Sequence, residues 1–182
     1  MKRIMLGQLL GLVLLTLGRR LRSGEDEPLV AAGEALWRGD CARAVDCYRE
    51  AARQGVDPVR IAHNLGVALY QVQRFQDAEE QFRDSAAAGD LSAARAAYDC
   101  GNCLLHEALP AQQPTSAELL AKAAAQYQAC LAQQEGISGA ESLFEDARHN
   151  LELARLLLAQ TTGRESPPNG DQVASAEDLC PT

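Results

Sequence analysis

The 182-residue sequence predicts an all-α protein in which helical hairpins stack in a row. Three observations carry that expectation. Aromatic residues are only 4% of a chain that is 47% hydrophobic, so its helices must approach one another through small side chains, alanine above all, rather than around large rings. One spacing recurs: Cys41, Ala44, Tyr48 and Ala51 stand three, four and three apart, as do Phe75, Ala78, Phe82 and Ser85, 34 residues further on. Leu120, Ala123, Tyr127 and Cys130 repeat it after a longer gap, and each set is one face of a helix. Each set also follows a shorter signature: Ala31, Ala32 and Ala35; Leu65, Gly66 and Leu69; Cys100, Gly101 and Leu104. A repeated two-helix unit of this length implies an array, because one hairpin cannot bury its own apolar face and must lean on a copy.

In chain order, residues 1–28 read as a separate segment. "MKR" precedes the apolar run "IMLGQLLGLVLLTLG" at 4–18, and Arg19, Arg20 and Arg22 follow. As a helix the run would span roughly 22 Å, short against a hydrocarbon core of about 30 Å. A secretory signal and an uncleaved membrane anchor both fit, and positive charge on both flanks leaves the orientation open. A buried core helix is the third reading.

The folded part is expected over 29–160. Its first hairpin lacks the Leu-Gly pair of the later ones. The second opens at Asp57-Pro58, an N-cap followed by a first-turn proline, and Asp90 is placed to cap the third. Glycine inside a helix costs about 1 kcal/mol against alanine, so Gly66 and Gly101 at equivalent positions predict close approach by another helix. The third hairpin carries an insertion of about ten residues in "HEALPAQQPTSAEL" before a capping box at Thr115 to Glu118. "DARHNLELARLLLAQ" at 146–160 begins a fourth copy with no second helix after it, and Glu152 replaces the packing glycine, as suits a capping helix. The stretch 161–182, rich in Gly, Pro, Ser and acids, predicts a disordered tail.

A net charge of -8 disfavours nucleic acid as a partner, since phosphate binding needs a basic face. "CGNC" at 100–103 has the spacing of a redox or zinc motif, yet Cys41, Cys100 and Cys130 align with Phe75, Leu65 and Ser85 in the packing sets. Burial as small hydrophobes is the main expectation for them, with a thiol-redox or metal-binding protein using Cys100 and Cys103 as the alternative. Cys180 stands apart in the tail. His63, His106 and His149 have no carboxylate or cysteine at a ligand-like offset on their own helices. No nucleophile elbow, H-E-x-x-H, Walker or dinucleotide fingerprint occurs in the folded segment, so neither a catalytic residue nor a cofactor is expected.

The residues "AHNLGVALYQVQRFQDAEEQF" (62–82), with Leu65, Gly66, Tyr70, Phe75, Ala78 and Phe82, resemble the tetratricopeptide repeat (TPR) family. The resemblance covers 29–160 and implies about three repeats, a C-terminal capping helix and a protein-binding groove lined by the first helix of each hairpin. By position that groove holds Arg60, His63, Asn64, Val67 and Tyr70, then Arg95, Tyr98, Asp99, Asn102 and His106, then His149 and Asn150. Asparagine suits a peptide backbone because it both donates and accepts, though Asn64 and Asn150 can equally satisfy neighbouring helices. The lysines of the carboxylate-clamp subgroup are absent; Arg60 and Arg95 are the cations available. The apolar segment, few repeats and closing helix also resemble the small TPR proteins of bacterial aerotolerance (Bat) operons. That resemblance implies an inner-membrane or periplasmic setting and a membrane partner with a von Willebrand factor A domain. A short solenoid with an exposed end face also admits self-association.

Overall fold

The computed structural model describes residues 27–109 and 115–165. The apolar run at 4–18, the expected tail beyond 165 with Cys180, and the Thr115 side chain of the expected capping box lie outside the described residues. Residues 27–37 form helix α1. Then come α2 (Cys41–Arg53), α3 (Pro58–Gln71), α4 (Phe75–Ser85), a short 3-10 segment (Ala86–Ala88), α5 (Asp90–Ala108), α6 (Thr115–Ala132) and α7 (Glu141–Glu165). No strand occurs among the described residues. The three hairpins are α1–α2, α3–α4 and α5–α6, and α7 closes the row.

Packing passes from neighbour to neighbour, α2 on α3 through to α6 on α7, with α5 also touching α7. One core runs from Ala32, Ala44 and Tyr48 through Leu65 and Phe82 to Cys100 and Cys103. A second joins Leu104, Leu120, Tyr127 and Leu151, and a third gathers Ala94, Cys130, Phe144 and Ala147. This is the row of mutually supporting hairpins that the spacing predicts, rather than one central core.

Gly66 and Gly101 explain how the α3–α4 and α5–α6 hairpins fit. A Cβ on Gly66 would lie 2.7 Å from the Phe82 ring, and one on Gly101 would lie 2.6 Å from the Tyr127 ring. The aromatic of each second helix therefore rests on the bare backbone of the first, which only glycine permits at this distance. In α7, the last helix among the described residues, Glu152 stands at the equivalent place and is exposed.

Helix ends follow the expected chemistry with two corrections. Asp57 accepts from the Val59 N–H at 3.0 Å ahead of Pro58, and Asp40 accepts from the Arg43 N–H at 3.3 Å to start α2. Asp90 is not the cap of α5: Gly89 holds that place with φ +135°, a conformation an L side chain rarely adopts, and Asp90 is already helical. The boundary expected at 160 is also too early, because α7 runs to Glu165. The Thr161 and Thr162 hydroxyls donate to the carbonyls of Leu157 and Leu158 at 2.8 and 3.0 Å, satisfying themselves within the helix.

Candidate functional site: the shared face of the first helices

Helices α3, α5 and α7 meet mainly through side chains of one face, and their register follows from the equivalent residues Leu65, Cys100 and Leu151. One residue before each stand Asn64, Asp99 and Asn150; two after each stand Val67, Asn102 and Leu153; five after each stand Tyr70, Leu105 and Leu156. His63 reaches Asp99, Tyr70 reaches His106, and Asn150 reaches Asn102, so the structure brings the predicted residues into one continuous strip.

At the α7 end the strip is internally bonded. The Tyr127 hydroxyl donates to Asn102 Oδ1 at 2.8 Å, and Asn150 Nδ2 donates to the same oxygen at 3.0 Å and to the Tyr98 hydroxyl at 3.4 Å. Tyr98 and Tyr127 lie with ring centroids 6.0 Å apart. Burial raises the Tyr127 hydroxyl well above its ordinary pKa, keeping it a neutral donor. Asn102 and Asn150 thus fasten α5, α6 and α7 together. Tyr48 of α2 lies beside Asn64 of α3, and Asn64 itself is exposed.

Between these two seams the pattern changes. Phe82 occupies the place of Tyr48 and Tyr127, and Asp99 the place of Asn64 and Asn150. Phenylalanine brings no hydroxyl. Asp99 Oδ2 is enclosed and accepts no hydrogen bond; its nearest charged neighbour is His63 Nδ1, at 3.6 Å, beyond hydrogen-bond length. The His63 ring leans on Phe82 with centroids 5.7 Å apart. Burial pushes the Asp99 carboxyl up to about 7, against a weaker opposing pull from Arg95, while burial and then Arg95 lower the His63 pKa. Both shifts favour uncharged forms, so near neutrality the contact is not a formed ion pair.

Toward the C-terminal ends of α3 and α5, Tyr70, Phe75 and His106 cluster, with Tyr70 edge-on to both others at 5.4 and 5.3 Å and Phe75 stacked on His106 at 5.5 Å. Beside them an open recess of about 340 Å³ is lined by residues 73–77 and Glu107. A smaller one, about 160 Å³, lies at the other end against Val59, His63, Leu91 and Arg95. Arg60, Arg95, His106 and His149 are exposed. Leu153 and Leu156 are also exposed, at 38% and 56%, and continue the strip from Val67 and Tyr70. Sequence reading passed over these two leucines, although the repeat register that selected Val67 and Tyr70 applies to them as well.

Among the described cysteines, Cys100, Cys103 and Cys130 occupy packing positions. Cys100, Cys103 and Cys130 are buried, and Cys100 Sγ lies 3.6 Å from the Glu79 carbonyl. Burial pushes the Cys100 thiol up to about 12 and Cys130 to about 11, and raises Cys103 further, so the nucleophilic thiolate is suppressed. Among the described residues no group of three or more His, Cys, Asp or Glu is placed to hold a metal ion, and no helix is long and apolar enough to cross a membrane.

Paired helices, glycine notches and a closing helix define a TPR-like helical solenoid. No family model matches the sequence, and no curated protein matches it. Among solved structures it is similar to the crystal structure of the Sgt2 TPR domain from Aspergillus fumigatus, with a TM-score of 0.54 at 16% identity over 85% of this chain and 91% of that one.

Proposed function

We propose that the chain is a non-enzymatic adaptor that holds a segment of a partner protein against the strip formed by α3, α5 and α7. The observation that carries this reading is the strip's alternation of surfaces: exposed cations at Arg60 and Arg95, half-buried aromatics at Tyr70 and Tyr98, and exposed leucines at 153 and 156. Large amphipathic and apolar side chains in contact with solvent along one face are typical of interface anchors. Of the predicted contact residues, Asn102 and Asn150 are committed to internal bonds and serve as supports. Arg60, Asn64, Tyr70, Arg95 and His106 remain the ligand contacts, joined by Leu153 and Leu156, while His63 and Tyr98 lie half-buried between the two roles.

The apolar run at 4–18 with its basic flanks supports action at a membrane, and the resemblance to Bat-operon proteins supports a bacterial envelope setting with a von Willebrand factor A domain protein as partner. Affinity capture from native membranes tests the reading. Arg60→Glu with Arg95→Glu, and separately Leu153→Ser with Leu156→Ser, are expected to lower recovery of specific partners at least tenfold with helicity unchanged. Arg49→Glu on α2, away from the strip, is expected to leave it intact. Equal recovery with all variants sinks the proposal.

A further inference from the structure

The seam between α3 and α5 contains a buried acceptor that the repeat pattern does not satisfy. At the equivalent places a tyrosine on the preceding second helix lies beside an asparagine on the next first helix: Tyr48 beside Asn64, and Tyr127 beside Asn150, the latter two both donating to Asn102. Here the corresponding residues are Phe82, whose ring leans on His63, and Asp99, whose enclosed Oδ2 finds no donor within bonding distance. The groups around it offer little compensation. Helix α3 presents His63 and Tyr70, and α6 presents Cys130. On α5 itself stand Arg95, Cys100 and Cys103, and α4 brings Glu79 and Arg83 near Cys100. Helix α7 reaches the neighbouring Asn102 only through the uncharged Asn150. In an ionised Asp99 carboxylate the Oδ2 atom is both desolvated and undonated.

A proton resolves the problem. Protonated Asp99 becomes a donor toward Nδ1 of neutral His63, which closes the 3.6 Å gap with a hydrogen bond across the seam. Loss of that proton to solvent leaves a negative charge in the strip, one helical turn from Arg95. We propose that Asp99 and His63 form a proton switch in the adaptor face: protonated, Asp99 ties α3 to α5, and ionised, it loosens the seam and changes the charge offered to a ligand. The consequence for ligand binding rests on the adaptor reading above; the switch itself does not.

The test therefore needs no partner. The Asp99 carboxyl carbon and the His63 ring are followed by NMR from pH 5 to 8.5, with hydrogen exchange of α3 and α5 amides corrected for intrinsic rates. A common step near pH 7 in Asp99, His63 and the α3 and α5 amides is expected, with protection falling above it. Asp99→Asn removes the step and keeps protection constant. Phe82→Tyr, which restores the missing hydroxyl, moves the Asp99 step toward the ordinary carboxylate value of 3.8. Asp99 titrating near 3.8 in the unmodified protein, or protection that ignores the step, overturns the proposal; should Asp99→Asn fail to fold, the unmodified protein and Phe82→Tyr decide it. A failed partner capture with this step present refutes the adaptor face and leaves the switch standing.

Discussion

The α6–α7 seam and the α4–α5 seam occupy equivalent places in the solenoid, and their aromatic rings pack alike, Tyr127 over Gly101 and Phe82 over Gly66. They part in their polar groups, with Phe82 in the place of Tyr127, Val67 in that of Asn102 and Asp99 in that of Asn150. The Tyr127 hydroxyl and Asn150 both donate to Asn102, and Asn150 also donates to Tyr98, whereas in the other seam Phe82 ends in carbon and Asp99 Oδ2 has no donor. Shape and polar satisfaction are thus separable in this fold: the ring seats the hairpin, and the hydroxyl decides whether the seam is closed.

The largest effect comes from removing what the two seams share. Tyr127→Ala and Phe82→Ala each delete a buried ring, and each is expected to cost about 3–5 kcal/mol in urea unfolding. A much smaller loss at Phe82 would break the comparison by showing that α4 is not seated as α6 is. Changing only the hydroxyl sharpens it. Tyr127→Phe reproduces the open seam inside the closed one and is expected to cost about 1–2 kcal/mol, while Phe82→Tyr at pH 8 is expected to stabilise by about 1 kcal/mol. Equal signs for these two variants would deny that the hydroxyl is what distinguishes the seams.

Much of this was legible in the residue spacing. The repeated sets placed the six helices of the hairpins, and Gly66 and Gly101 announced the ring contacts because nothing larger fits beneath Phe82 and Tyr127. The same alignment put Cys100 and Cys130 among packing residues, where the structure buries them. Other features depend on distances that spacing does not specify. Asn102 reads as a ligand contact by position, but two donors from other helices, Tyr127 and Asn150, converge on its Oδ1. The substitution of Phe82 for tyrosine was visible, but its consequence appears only when Asp99 is seen to be enclosed. Helix α7 extends to Glu165, past the point where composition favours disorder, and the Thr161 and Thr162 hydroxyls there bond back to Leu157 and Leu158.

Stability against pH, compared between the unmodified protein and Asp99→Asn, tests the two-seam account most directly. The folded Asp99 pKa of about 7 lies above its ordinary 3.8. Below pH 4 both folded and unfolded chains hold the proton and the contribution is fully present; between 4 and 7 the unfolded chain ionises first, so stability is lost as pH rises. The depressed His63 pKa acts in the opposite sense near its ordinary 6.5 and offsets part of the loss. Relative to Asp99→Asn, the unmodified protein is expected to lose up to roughly 4 kcal/mol across this window. Two profiles that run parallel from pH 4 to 8 would contradict the account, because Asp99 would then be no worse solvated in the folded chain than in the unfolded one.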